Sequence, residues 1–369
     1  MPDKMRIHLV AGARPNFMKV GPLYHALADT DWAEPVLVHT GQHFSAEMSD
    51  VFLRDLGLPK PHFHLMALGT THAEQTAAVL TAYEALCLRN RPDWVVVVGD
   101  INSTIAATLA AKKLNLPVAH LEAGLRCGDR TMPEEINRLL VDAVADLLWT
   151  PSEDADVNLL REGVAPERIV RVGNIMIDAY CMLQEGISEA GTAARLGLQP
   201  LSYAVVTMHR PVNVDRRENL LVIVDQLIKL AESFSVVFPV HPRTRTRLES
   251  FDLMHKLSNA GIRLLEPLGY IEFMNLVANC RIVVTDSGGI QEETSYLGVP
   301  CLTARESTER PITLSLGSNQ LIAISSIEQA AKSVMETVAS RMNTTIPLWD
   351  GRTAERVVES LFQQQRRSS

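Results

Sequence analysis

Four short stretches of this chain carry side chains suited to moving a proton. "GDINST" (99–104) sets Asp100 directly after an apolar run, and "HLEAGLR" (120–126) carries Glu122. "PEEINR" (133–138) carries Glu134 and Glu135, and "MHRPVNVD" (208–215) places His209 and Arg210 after a second apolar run. Carboxylates gathered at one sheet edge repel one another and raise the pKa of one of them, which is how proton-transfer sites are made. A histidine facing them adds a group that gains or loses its proton near neutral pH. Taken singly, each stretch has a plainer reading. Asp100 can be a helix N-cap, and Glu134 can simply complement a helix dipole. His120 and Glu122, two residues apart, are expected on one face of a strand.

A second group of residues suits an anion. "GARPNFMK" (12–19) places Arg14 and Lys19 around a helix start, where backbone N–H groups and the helix dipole favour negative charge. "TDSGGIQEETSYLGVP" (285–300) leaves an apolar run through Ser287, Gly288 and Gly289 and enters a helix at once. Three successive N–H groups there can converge on a phosphate, and glycine permits close approach. Glu292 and Glu293 follow in the first turns. A carboxylate there is badly placed for phosphate but well placed to accept from the adjacent hydroxyls of a ribose. The stretch therefore reads as a nucleoside diphosphate site. A glycine turn that only packs helix on strand is the alternative. The pattern is neither G-x-G-x-x-G nor G-x-x-x-x-G-K-[ST], which speaks against NAD and ATP. "FPVHPRTRTR" adds His241, Arg243, Arg245 and Arg247, readable as a ligand site or as a solvated basic face.

Groups so far apart in sequence need a scaffold. The chain has 369 residues, 46% apolar and 21% charged, with 43 acidic against 35 basic residues and a net charge of −8. That is a soluble globular composition, too long for one core and too acidic for a general nucleic-acid binder. Five cysteines without C-x-x-C fit a reducing cytoplasm and no zinc knuckle. No stretch approaches ~18 apolar residues, and the N-terminus lacks a signal-peptide pattern, so no membrane association is expected.

Short β-branched runs alternate with helical patterns in two series. The first comprises 6–12, 35–40, 94–99, 118–123, 147–151 and 169–173. The second comprises 203–208, 235–240, 262–266, 281–286, 299–303 and 320–324. Continuous apolar strands separated by helices imply parallel sheets covered on both faces. The expected fold is α/β, two doubly wound Rossmann-like domains at 1–184 and 185–352, with a last helix (353–369) returning to the first. Ligands of such sheets bind beyond the strands' carboxyl ends, so the cleft between the domains is the expected site.

The motifs together, in order and spacing over about 300 residues, resemble the non-hydrolysing UDP-N-acetylglucosamine 2-epimerases, which have a GT-B-like fold. The resemblance is carried by the stretches above and by "TGQH" (40–43), "VGNIMIDA" (172–179), "PVHP" (239–242) and "TERP" (308–311). It implies interconversion of UDP-GlcNAc and UDP-ManNAc for surface polysaccharide synthesis, by anti elimination of UDP to a 2-acetamidoglucal and syn re-addition. It implies no cofactor, no obligatory metal and a homodimer. Carried over by position, Asp100, Glu122, Glu134 and His209 form the catalytic set. Arg14, Lys19, Phe273, Ser287, Gly288, Gly289, Glu293 and Arg310 match UDP contacts. Gln42, His43, Glu135, Arg210 and His241 match parts of a second, activating UDP-sugar site. Ser45 stands where that site implies a glutamine, and "GTTHAEQTA" (69–77) lacks an arginine before its Gln-Thr pair. "RPNFMK" resembles a branch that includes 2,3-diacetamido-uronic acid epimerases. The competing readings are an epimerase of such a related UDP-sugar, a hydrolysing epimerase, a retaining glycosyltransferase and a nucleotide-sugar-binding regulatory protein.

Overall fold

A computed structural model describes residues 4–41, 53–338 and 340–368, without the side chains of Arg14, Arg367 and Ser368. The chain divides into two compact units, Met1–Met182 with Pro347–Ser369, and Leu183–Ile346.

Among the described residues the first unit holds seven parallel strands: β1 (Met5–Ala11), β2 (Ala33–His39), β3 (Phe63–His64), β4 (Trp94–Val98), β5 (Val118–Leu121), β6 (Leu147–Thr150) and β7 (Ile169–Arg171). Their order is β3-β2-β1-β4-β5-β6-β7. The second unit holds six: β8 (Tyr203–Thr207), β9 (Ser235–Pro239), β10 (Arg263–Leu265), β11 (Ile282–Thr285), β12 (Cys301–Thr303) and β13 (Asn319–Leu321). These run β10-β9-β8-β11-β12-β13, again all parallel.

The central strands are runs of β-branched residues buried on both faces. Val95, Val96, Val97 and Val98 are at most 1% exposed, as are Val205, Val206, Val283 and Val284. Each such side chain contributes about 1.5–3 kcal/mol on leaving water. One apolar cluster gathers Val36, Val38, Tyr83, Val95, Val97 and Leu148 in the first unit. Another gathers Val206, Leu227, Phe238, Val284 and Leu302 in the second.

Strand order decides where each sheet can bind a ligand. In the first unit it reverses between β1 and β4, paired through Val10 and Val97. In the second it reverses between β8 and β11, paired through Thr207 and Thr285. Connections leave to opposite sides at such points and open a crevice beyond the strand ends. "GARPNFMK" and "GDINST" follow β1 and β4. "MHRPVNVD" and "DSGG" follow β8 and β11.

The end of the chain belongs to the first unit. Helix Thr353–Ser368 packs beside helix Arg14–Ala28. Trp149 Nε1 donates to Ser360 Oγ (3.0 Å) and Trp349 Nε1 to the Pro151 carbonyl (2.9 Å). Trp349 is why the second unit stops at Ile346, six residues before the expected 352. The first junction falls after Met182, inside helix Ile175–Glu189, two residues from the expected 184.

Candidate active site

In the first unit the turn after β1 is pinned by a buried asparagine. Asn16 Oδ1 accepts from the Gly12 and Ala13 N–H groups (3.2 and 3.0 Å), and its Nδ2 donates to the Val98 carbonyl (3.1 Å). Helix Arg14–Ala28 is thereby tied to the end of β4, and Lys19, one turn on, is 8% exposed. Its Nζ pairs with Glu122 Oε2. Gly99 makes room for that pair: a Cβ there would lie 3.0 Å from Lys19 Nζ and 3.5 Å from Glu122 Oε2, and its φ is +64°.

Glu122 departs from the sequence expectation. β5 stops at Leu121, and Glu122 adopts φ +76°, a left-handed conformation unusual for a residue with a side chain. The Glu122 and Ala123 N–H groups both donate to the Trp149 carbonyl (3.1 and 3.0 Å). The chain therefore turns out of the strand, and His120 and Glu122 do not share a face. Glu122 meets Lys19. His120, fully buried, faces Asp142 Oδ1 through Nδ1 (2.6 Å) and the Gly99 carbonyl through Nε2 (2.8 Å). Asp142 also accepts from the Gly124 N–H (3.0 Å) and pairs with Arg126 (2.8 Å). Burial works to raise the Asp142 carboxyl, but His120, Arg126 and Gly124 hold it below its ordinary value.

Asp100 pairs with Arg138 Nη1, and its side chain is 34% exposed. Arg138, almost fully buried, also donates to Glu135 Oε2 through Nε and Nη2 (3.0 and 2.7 Å). Glu135 accepts from the Gly128 and Cys127 N–H groups as well (2.9 and 3.2 Å). Both its oxygens therefore fasten the 123–132 loop. Glu134, in the first turn of helix Pro133–Val144, is half-buried. Asp100, Glu122, Lys19 and the Glu135–Arg138 pair thus collect beyond β4 and β5. The backbone of Arg14 opens its helix, and its side chain lies outside the described residues. Gln42, His43 and Ser45 also lie outside them.

In the second unit Asp286, at the end of β11, is completely buried. Its carboxylate accepts from the His209 N–H (3.0 Å), the Arg210 N–H (2.9 Å) and Asn213 Nδ2 (3.0 Å). It also lies 3.0 Å from His209 Nδ1. Burial opposes ionisation of Asp286, but these partners leave its carboxyl below the ordinary range. The His209 side chain is 38% exposed, with the His241 ring 5.4 Å away. Burial, then His209, lower the His241 pKa. His241 also caps helix Pro242–Ser250 by accepting from the Arg243 N–H (3.2 Å).

The Ser287-Gly288-Gly289 turn opens helix Ile290–Leu297. A Cβ on Gly288 would lie 2.8 Å from Glu309 Oε1 and 3.0 Å from Arg310 Nη1, whereas one on Gly289 would meet nothing within 4 Å. Glu309 is ringed by Arg305 (2.9 Å), Arg310 (3.1 Å) and Arg210 (3.7 Å). Burial is overcome there by Arg310 and Arg305, and the Glu309 pKa falls to about 2. Arg310 Nε pairs with Glu292 Oε1 (2.7 Å). Burial, reinforced by Glu292, pushes Glu293 up to about 8 despite a hydrogen bond with Tyr270. Gln291 holds the turn, donating to the Ser287 carbonyl (3.0 Å). Phe273 lies half-buried on helix Tyr270–Asn279.

The partners that hold the named residues escaped the sequence reading: Arg138 on Asp100, Asp286 on His209 with Asn213 behind it, Glu309 on Arg310. The only local signal was their place in the same short motifs. Among the described residues no helix is long and apolar enough to cross a membrane, and no group of three His, Cys, Asp or Glu is arranged to hold a metal ion.

Residues 25–362 match the family model described as UDP-N-acetylglucosamine 2-epimerase. The UDP-N-acetylglucosamine 2-epimerase of Methanocaldococcus jannaschii is 40% identical over 366 residues, covering 97% of this chain and 99% of that protein. The UDP-2,3-diacetamido-2,3-dideoxy-D-glucuronate 2-epimerase of Pseudomonas aeruginosa is 39% identical over 341 residues, covering 90% and 94%. The crystal structure of the M. jannaschii UDP-GlcNAc 2-epimerase with UDP-GlcNAc and UDP superposes with a TM-score of 0.87 at 40% identity, covering 97% of this chain and 100% of that one. Conserved length, sequence and Rossmann-like α/β architecture together make this chain a member of the UDP-N-acetylglucosamine 2-epimerase family.

Proposed function

We propose that this protein interconverts UDP-N-acetylglucosamine and UDP-N-acetylmannosamine by eliminating UDP and adding it back. In the elimination an enzyme base takes the C2 proton, the C1–O bond breaks, and its electron pair leaves on the diphosphate. The products are a 2-acetamidoglucal and UDP. Re-addition forms the C1–O bond again while an acid returns a proton to the other face of C2. The C2 proton is α to no carbonyl, so the departing diphosphate must carry most of the developing charge. Preorganised N–H groups and cations are the device for that. We assign this task to the Ser287–Gly289 turn with Arg310, Arg14 and Lys19, proton transfer to Asp100, Glu122 and Glu134, and assistance to the leaving UDP to His209. Glu293, keeping its proton to about pH 8, can donate to one ribose hydroxyl and accept from the other. The second UDP-sugar site retains Arg210 and His241 as candidates, and Glu135 would have to leave its loop contacts to take part.

The observation that carries the reading is Glu122. A carboxylate held at φ +76° against a buried lysine is backbone strain of the kind maintained at functional sites. The deciding experiment is NMR of the protein with UDP-GlcNAc in D2O. The proposal expects UDP-ManNAc, deuterium at C2 and intact UDP-sugars at equilibrium. Free ManNAc as the main product would make the enzyme a hydrolysing epimerase, and binding without turnover would leave a regulatory protein.

The near-equal identity to the Pseudomonas enzyme supports a second substrate, a UDP-2,3-diacetamido-uronic acid. Its test is the same assay with that sugar, where turnover exceeding that of UDP-GlcNAc would decide for it.

The diphosphate cradle has its own check. Gly289 has φ −62° and ψ −46°, which alanine adopts freely, and open space where a Cβ would stand. Gly289→Ala is expected to leave the melting temperature unchanged or slightly raised. It should weaken UDP at least about tenfold, because the methyl occupies the phosphate's approach. Unchanged affinity by calorimetry would place the diphosphate elsewhere.

Homodimerisation is supported by Ile136, Leu140 and Val144, 45%, 48% and 39% exposed at helical spacing on Pro133–Val144. A second copy covering this stripe would remove it from water. Ile136→Glu with Leu140→Lys should then halve the mass measured by light scattering; an unchanged dimer would exclude this face.

A further inference from the structure

Asp286 has no assigned part in the reaction, yet its carboxylate is fully buried and meets His209 at two points, the backbone N–H and the ring Nδ1. It accepts from the His209 N–H and the Arg210 N–H, faces His209 Nδ1 at 3.0 Å, and is steadied by Asn213 Nδ2. Its own carbonyl accepts from Arg210 Nε (3.2 Å). The next residue in the chain is Ser287, where the glycine turn begins. One residue therefore fixes both the histidine and the start of the turn.

We propose that Asp286 is a positioning residue for His209, keeping the proton of the neutral ring on Nδ1 and leaving Nε2 to exchange a proton with the departing and returning UDP. The inference rests on the reading of His209 given above. A carboxylate accepts and does not donate, so a ring nitrogen facing it must carry hydrogen. When Nε2 is protonated, the imidazolium has a buried negative partner. After Nε2 gives up its proton, the same partner holds the ring in the tautomer that can take a proton back. Elimination needs a proton near the leaving oxygen, and re-addition needs it withdrawn, so a ring of fixed orientation and reversible charge serves both directions. The His241 ring lies beside it, with centroids 5.4 Å apart, while the side chain of the next residue, Arg210, pairs with Glu309.

A carboxylate with three N–H donors besides the ring could also serve only to pin the loop after β8 to β11. Two measurements separate the roles. The first needs no variant at the site: 15N spectra of histidine-labelled wild-type protein, with His209 assigned by its loss in His209→Asn, should show neutral His209 protonated at Nδ1. Protonation at Nε2 instead would overturn the proposal. The second is Asp286→Asn. Its amide oxygen still accepts from backbone N–H groups, but it carries no charge for the imidazolium. We expect kcat in both directions to fall about 10²-fold, with KM and UDP affinity within roughly threefold of wild type, and the Nδ1 proton signature to be lost. Wild-type kcat in a folded Asp286→Asn protein would overturn the proposal, as would equal losses in kcat and UDP affinity. His209→Asn distinguishes the underlying reading: full activity there would remove His209 from the reaction, and the role of Asp286 with it.

Discussion

Glu122→Gln is expected to lower C2 proton exchange by about 10³-fold while leaving UDP affinity within a factor of about three. The change keeps the shape of the side chain and removes its ability to hold a proton. Glu122 is fixed by its backbone, which leaves β5 at φ +76° with two N–H groups on the Trp149 carbonyl. The glutamine should therefore sit where the carboxylate sat. Its cost appears in stability. Lys19 is 8% exposed and would lose the negative charge of its partner. A full loss of a buried partner costs about 3–5 kcal/mol. The amide oxygen still accepts from Nζ, so a loss of about 2 kcal/mol is the better expectation. Deuterium incorporation followed by NMR, beside a thermal melt of the same protein, measures both. Exchange at the wild-type rate would remove Glu122 from the chemistry.

Glu309→Gln should give the largest loss of stability. Glu309 is the common partner of Arg305, Arg310 and Arg210, and its side chain is 8% exposed. Arg310 keeps Glu292, but Arg305 and Arg210 lose the carboxylate that balances their positive charge in a buried cluster. The expected cost is about 3 kcal/mol, a fall of roughly 6–12 °C in melting temperature for a unit of this size. The pH dependence follows from the same cluster. The Glu309 pKa is lowered from 4.5 to about 2. The folded state therefore favours the ionised form, and its contribution is complete above pH 4.5 and lost as pH falls from 4.5 toward about 2. Wild type and variant should converge in stability across that window. A gap that stays constant down to pH 2 would show that Glu309 acts by packing and not by charge.

Much of this was legible from residues alone, and for identifiable reasons. "WVVVVG" and "RIVVTD" are too apolar and too β-branched to be anything but buried strands, and helices between such strands force parallel pairing. Glycine-rich and charged motifs directly after those strands point to the edge where such sheets bind ligands, whatever the details of packing. The details were misjudged where backbone geometry intervened. The run "VAHLEA" reads as six residues of strand, but pairing stops at Leu121. "QLIAI" reads as strand, but after β13 ends at Leu321 the chain enters a short helical turn at Ile324–Ser326. The two-residue β3 carries too little pattern to be seen.

The sequence by itself determined the class of fold and the family, and it nominated the short motifs to which we assign the chemistry. These follow from side-chain type and from spacing within a few residues. The tertiary structure decided what each group is paired with. Lys19 meets Glu122 across 103 positions, Arg138 meets Asp100 across 38, and the His209 N–H meets Asp286 across 77. Such pairings depend on which strands become neighbours, β1 beside β4 and β8 beside β11. They also depend on burial, which makes an ion pair obligatory where solvent would have made it optional. Composition and local spacing carry neither piece of information, because both arise only when distant segments exclude water together.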